Sequence, residues 1–412
     1  MDLRLTKENI LRALDENILD RNAEVKEFAQ MLDRCKEARI IAINGAWGCG
    51  KSFFIRQVCE VLDYDYQKKR NILLEDIEDF GQIEEIMSRH EELQMEPLDH
   101  YFITIYYDAW CHDDHDDPLL SLIYEIEGRY EELFHKKDSL FGDTCDILKN
   151  QIEKKRGLRS IIEAEKMKED FRKLLDALYG EKMNKSESGR ILIVIDELDR
   201  CKPDYAVKIL ERIKHFVDLE KVFFVYCLNK VELCKSIECF YGRDLESTMY
   251  LNKFFDTTYD LNIKDVSSYF YQIAGEFRHN SNINPVIIGL AKHLRFSLRE
   301  CNQLAGVIKD GLFIKEEINE EIWIAENIFY PIIAALRICD AQECRNFLGG
   351  RSEDYLGNMY GDVKEMEQLM KKSRKRPDKE RLLLIYRKLF CQDDGNDNIK
   401  KERSELKNLL YD

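Results

Sequence analysis

Proline is scarce in this chain, at 6 of 412 residues, and glycine is modest at 19. That excludes collagen-like, proline-rich and long flexible-linker architectures. No uncharged apolar run is long enough to cross a bilayer, so no membrane span is expected. The 13 cysteines contain no Cys-x-x-Cys pair, and the chain opens on a polar, helix-patterned segment rather than a targeting sequence. The thiols therefore read as reduced, several of them in the core, in a cytoplasmic protein. Positive charge is also short: 63 Lys and Arg against 79 Asp and Glu give a net charge of −16. That disfavours general electrostatic binding to nucleic acid and leaves only a local basic patch to consider. What is present is a 44% hydrophobic share over a length sufficient for two or three domains.

One stretch organises the rest, "RIIAINGAWGCGKSFFIRQV", Arg39 to Val58. Gly45 is followed by four residues and then Gly50, Lys51 and Ser52, between an apolar run and a helix-patterned run. That is the strand–loop–helix setting of a phosphate-binding loop. Gly45, Gly48 and Gly50 are expected to bend the chain with positive φ and to let backbone approach a ligand. Amides at a helix N-terminus would then face an anion. The expected nucleotide contacts are Gly45, Ala46, Trp47, Gly48, Cys49, Gly50, Lys51, Ser52 and Phe53. Lys51 would reach the β- and γ-phosphates, and Ser52 would place its hydroxyl on Mg²⁺. Cys49, between two glycines at a helix start, would be an activated, alkylatable sulfur; a small residue chosen for space is the alternative.

Taken in order, the chain reads as two helices, Leu5 to Leu19 and Ala23 to Cys35, and then a strand, Arg39 to Asn44. After the loop helix comes charged helical sequence to Glu96, and a second strand from His100 to Tyr107. Pro118 opens a helix, and charged sequence runs on to a loop at "KMNKSESG". The third strand, in "ILIVIDELDRC", is continuously apolar, as in a buried parallel sheet. Helix Pro203 to Val217, strand Val222 to Leu228, helix Lys230 to Phe240 and strand Phe254 to Leu261 follow. From about residue 263 only helical periodicity remains. The expectation is an α/β fold with a five-stranded parallel sheet flanked by helices. It assigns residues 1–262 to this domain, with helical insertions at about 63–97 and 117–188, and residues 263–412 to an all-α C-terminal domain.

Asp196 ends the third strand and fits the magnesium-side carboxylate, acting through water. Glu197 is then placed to polarise an attacking water. Asn229 follows the next strand and would hold that water or touch the γ-phosphate. Arg200, Arg243 and Arg299 are the candidate arginines for the γ-phosphate. "CHDDHDD", Cys111 to Asp117, has metal-ligand residue types but no matching ligands at a zinc spacing, and reads as a solvated acidic loop. "KKSRKRPDKER", Lys371 to Arg381, is the one basic cluster and reads as an exposed helix end.

Four of these stretches together resemble the KAP family of P-loop NTPases. "NGAWGCGKS" is similar to that family's loop and "YYDAWCHDDHDDPLLSLIYEI" to its second-strand motif. "IVIDELDRCKPDYAVKILERIKHF" and "YLNKFFDTTYDL" resemble its acidic strand and its last core strand. "DRNAEVKEFAQML" also fits, so the likeness covers roughly residues 20–305. It implies a P-loop NTPase of the AAA-like and STAND-like branch, with ATP as the nucleotide. It also implies that Val222 to Leu228 lies between the loop strand and the Asp–Glu strand. Arg299 in "FSLRECNQLAGVI" looks like a lid arginine, with Arg295 as its rival. The charged insertions look like those of a member without membrane helices. The expected activity is a Mg²⁺-dependent ATPase switch whose hydrolysis rearranges the helical domain and an unidentified protein partner, with a homo-oligomer left open. Bacterial relatives suggest a setting in phage defence. A nucleotide-gated scaffold with little turnover, or a small-molecule kinase, is the alternative.

Overall fold

Five apolar runs build one sheet: β1 (Ile40–Asn44), β2 (Tyr101–Asp108), β3 (Gly189–Asp196), β4 (Val222–Leu228) and β5 (Thr257–Asp260). All pairings are parallel, in the order β2-β3-β4-β1-β5. β4 thus separates the loop strand from the acidic strand, as the resemblance implies. Every residue of β3 and β4 is buried, which is why both read as unbroken apolar runs. The fifth strand is shorter than the expected Phe254 to Leu261. It pairs only with β1 and its burial alternates, as befits an edge.

The computed structural model describes residues 4–70, 80–134, 139–154, 169–170, 173–174, 189–214, 221–263, 266–273, 283–311, 320–372 and 378–391. They belong to two compact units, Arg4–Asn262 and Ile263–Asp412. In the first unit, α1 (Lys7–Asp15) and α2 (Asn22–Arg34) precede β1, and α3 (Lys51–Arg70) follows the phosphate loop. Then come α4 (Phe80–Arg89), α5 (Pro118–Phe134), α6 (Ser139–Lys154), α7 (Pro203–Lys214), α8 (Lys230–Tyr241) and α9 (Ser247–Leu251). The second unit contains only helices among its described residues. The loop expected at "KMNKSESG", the end of the helix after Pro203 and most of the basic run before Asp378 lie outside the described residues.

The expected first helix is corrected at both ends. Thr6 caps it, its hydroxyl accepting from Asn9 N at 3.3 Å, so it starts at Lys7. It stops at Asp15 because Asn17, Leu19 and Asp20 take positive φ in a kinked turn. The loop helix, by contrast, runs on to Arg70, well past Leu62.

One face of the sheet builds a core of the first unit from alternate strand positions. Ile105, Tyr107, Ile193 and Ile195 pack with Leu122, Ile126, Leu210 and Ile213. Parallel register brings the strand ends to one edge: Asp108 pairs with Asp196, Asp196 with Cys227, and Cys227 with Ile43. Ligands of such sheets bind beyond this edge.

Candidate functional site: the phosphate loop and the acidic strand end

The loop leaves β1 at Asn44, whose side-chain amide donates to Asp260 Oδ1 at 2.7 Å and whose Oδ1 accepts Lys230 N at 3.0 Å. Gly48 and Gly50 take φ of 76° and 93°, as the tight turn requires. Gly45 does not, so its expected role is corrected: it is needed for space. A Cβ there would lie 2.6 Å from Cys49 Sγ and 2.8 Å from Leu261 O. Cys49 is only 3% exposed and its sulfur packs inside the loop, which favours the small residue chosen for space over the activated sulfur.

α3 starts at Lys51, so the first-turn amides, which have no acceptor inside a helix, open at the loop. Lys51 is buried, and its Nζ donates to Gly45 O at 2.8 Å and Ala46 O at 3.2 Å. Trp47 leaves its ring half exposed while Nε1 donates to Asp199 Oδ2 at 2.5 Å.

Behind the loop, Arg21 is 4% exposed and donates to Cys49 O at 3.0 Å and Asn262 O at 3.2 Å. Burial lowers its pKa, against the opposing charge of Glu24. Arg21 thus ties the loop to the last residue of the first unit. Arg21→Met removes both bonds while keeping much of the length. It should destabilise that unit by about 2 kcal/mol, the usual range for stranding buried acceptors, as a lower denaturant midpoint. An unchanged midpoint would remove Arg21 from the loop's support.

Asp196, at the end of β3, is 1% exposed. Burial raises its pKa, while hydrogen bonds from Ser52, Tyr106 and the Glu197 backbone amide oppose that shift. Tyr106 donates to Oδ2 at 2.6 Å and Glu197 N to Oδ1 at 2.8 Å. Glu197 itself takes φ 57°, a left-handed conformation that a non-glycine residue holds at a cost. Burial, then the Asp196 charge, push its carboxyl up to about 7, with Arg200 pulling the other way. Arg200 Nε lies 2.6 Å from Glu197 Oε2, and its guanidinium sits over the Trp110 ring at 5.4 Å.

The expected site residues are placed as follows. Gly45 to Phe53, Asp196 and Glu197 come together at the strand ends. Asn229 also sits there, but its Oδ1 caps α8, accepting Val231 N at 3.1 Å and Glu232 N at 3.5 Å. Its NH₂ is the group left to face a ligand. Arg200 is engaged by Glu197, and Arg243 is exposed after α8. Arg299 is exposed on helix Leu298–Gly311 of the second unit, and Arg295 precedes that helix with φ 55°. The acidic loop spends its charges on ion pairs: Lys202 with Asp113 and Asp114, and Arg212 with Asp117 at 2.8 Å. No group of three metal-ligating side chains occurs among the described residues. Sequence reasoning gave no role to Arg21, Arg56 or Tyr106. The available signal for Tyr106 was strand alternation: it pairs with Val194, which shares a face with Asp196.

Mg²⁺ prefers a few hard oxygen ligands and keeps its waters. A loop hydroxyl and a buried carboxylate, with no further ligand cluster among the described residues, fit an ion held mainly by phosphate and water.

A glycine-bent loop between a strand and its helix, with an acidic strand end two strands over, defines a P-loop NTPase domain. The KAP family P-loop domain matches residues 21–269, more than half of the chain, and the chain belongs to that family. No curated protein matches the sequence. Among solved structures, the Aeropyrum pernix ORC1 protein in complex with DNA is 15% identical, covering 100% of this chain and 85% of that one, with a TM-score of 0.35. A score of that size assigns neither fold nor partner. All thirteen cysteines are free thiols. No described helix is long and apolar enough to cross a membrane.

Proposed function

We propose that the protein binds MgATP at the phosphate loop and hydrolyses it, and that the difference between the ATP and ADP states is passed to the helical second unit and a protein partner. The observation that carries this reading is the buried Asp196 carboxylate at the end of β3, two strands from the phosphate loop and followed directly by Glu197. It sets a carboxylate near the loop next to a second acid raised toward neutral pH. Lys51 neutralises the β- and γ-phosphates once it leaves Gly45 O and Ala46 O. Ser52 and Asp196 would hold the magnesium ion. Bound Mg²⁺ supplies charge neutralisation on the transferring phosphoryl group. Glu197 accepts the proton of the attacking water, and the Asn229 NH₂ steadies that water or the γ-phosphate. Arg299 is the arginine proposed to meet the nucleotide. A nucleotide can move the second unit only by binding its two arrangements differently. A cytoplasmic setting, a homo-oligomer and a role in phage defence belong to this reading and rest on resemblance and composition alone.

Phosphate release with no acceptor present, for wild type and Lys51→Ala, tests the activity. Wild type should release phosphate, and the variant should lose at least a hundredfold, as removal of a charge on the transferring group does. Equal rates would reject the site. Absence of turnover until an acceptor is added would favour a kinase. The nucleotide-gated scaffold has one observation in its favour, the Arg200 grip on Glu197. Slow turnover that Arg200→Ala accelerates would identify that grip as the restraint.

A further inference from the structure

We propose that Tyr106 is a positioning residue for Asp196, holding the carboxylate in the plane from which it meets a divalent cation, and that Arg56 holds Tyr106 in turn. This rests on the reading of Asp196 as the magnesium-side carboxylate.

The carboxylate is gripped on both oxygens by different elements. Oδ1 takes the amide of Glu197, the residue just after β3, at 2.8 Å, and Oδ2 takes the Tyr106 hydroxyl of β2 at 2.6 Å. Rotation about the Cβ–Cγ bond would break both bonds. The second grip is short and has a charged acceptor, the stronger kind of hydrogen bond. The tyrosine is itself fixed from above, because the Arg56 guanidinium carbon lies 3.3 Å from its ring centroid. Arg56 Nε is buried and makes no hydrogen bond, so the ring is the contact that its stack supplies. Arg56 lies on α3, the helix that begins at the phosphate loop. The chain Arg56–Tyr106–Asp196 therefore links the loop helix to β2 and β3 at the point where the Ser52 hydroxyl also reaches Asp196.

A phenylalanine at 106 would keep the ring and its stack and lose only the hydroxyl. If the tyrosine serves packing alone, that change is silent at the metal. If it positions Asp196, the requirement for the cation must rise while nucleotide binding without the cation is spared.

The test is equilibrium dialysis of ATP against full-length wild type, Tyr106→Phe and Arg56→Met, first in EDTA and then across a MgCl₂ series, with thermal melts of each protein. In EDTA the three should bind ATP equally, because the loop is untouched. The Mg²⁺ concentration for half-maximal enhancement should rise about tenfold in Tyr106→Phe, the size expected for losing a hydrogen bond to a charged group. It should rise by a smaller factor in Arg56→Met. An unchanged Mg²⁺ requirement in a cooperatively melting Tyr106→Phe overturns the proposal, as does an equal loss with and without the cation. Should Tyr106→Phe fail to fold, Arg56→Met decides, and an unchanged requirement there overturns it. Wild type that binds no ATP with or without Mg²⁺ rejects the proposed function itself, which is a different failure.

Discussion

Glu197→Gln should bind ATP as wild type does and lose turnover by about 10²–10⁴, the range for removing a positioned general base. The same change should make the nucleotide-free protein more stable at pH 8. The sign follows from the raised pKa. The folded protein holds the Glu197 proton up to about 7, whereas the ordinary carboxyl value is 4.5. Between those values the folded state binds more protons than the unfolded one, so its stability falls as pH rises. Above 7 the whole cost of a buried anion beside Asp196 is present. Glutamine carries no charge and avoids that cost. After allowance for solvent and for Arg200, the gain should be about 2 kcal/mol above pH 7 and vanish below pH 4.5. Denaturant midpoints at pH 5 and pH 8 read it directly. In wild type, kcat/KM should drop as pH falls through about 7, because a protonated Glu197 cannot accept a proton. A Gln variant that still turns over, or a kcat/KM flat from pH 5 to 8, would take Glu197 out of the chemistry.

Gly45→Ala should abolish useful nucleotide binding although it adds one methyl group. The position has no positive φ to protect, so the usual argument for glycine does not apply. The obstacle is space on two sides, Cys49 Sγ at 2.6 Å and Leu261 O at 2.8 Å from the added carbon. The first neighbour is in the loop itself and the second is backbone, so one cannot yield without changing the loop and the other cannot swing aside. Overpacking of this kind costs about 1–3 kcal/mol and moves backbone. Nucleotide affinity should fall by far more than stability, because the amides that face the phosphate move with the loop. Adding Cys49→Ala relieves one contact and should restore affinity in part. Full affinity in the single variant would show that the loop has slack at this point.

The class of fold was legible because its signals are local. The spacing of Gly45, Gly50, Lys51 and Ser52 is set by a short turn. The buried run Ile191–Ile195 announces a central strand. The order of strands is not local, and the place of β4 came from the resemblance rather than from periodicity. What stayed hidden at the site depends on residues distant in sequence. Arg21 reaches across 28 positions to Cys49 and 241 to Asn262. Tyr106 reaches across 90 to Asp196. The shared role of Gly45 and Cys49 is hidden for a related reason. Sequence shows that small residues are wanted there, but only the fold shows that they fill the same space. The first helix ends before its apolar pattern does, because the pattern continues through Ile18 and Leu19 while the backbone turns at Asn17.

Isothermal titration of MgATP into the full-length protein and into Lys51→Ala bears most directly on the claim that main-chain amides and one ammonium hold a triphosphate at this strand edge. The account predicts one saturable site per chain in wild type and none over the same range in the variant. Absent binding in wild type, or equal binding in both, would contradict it.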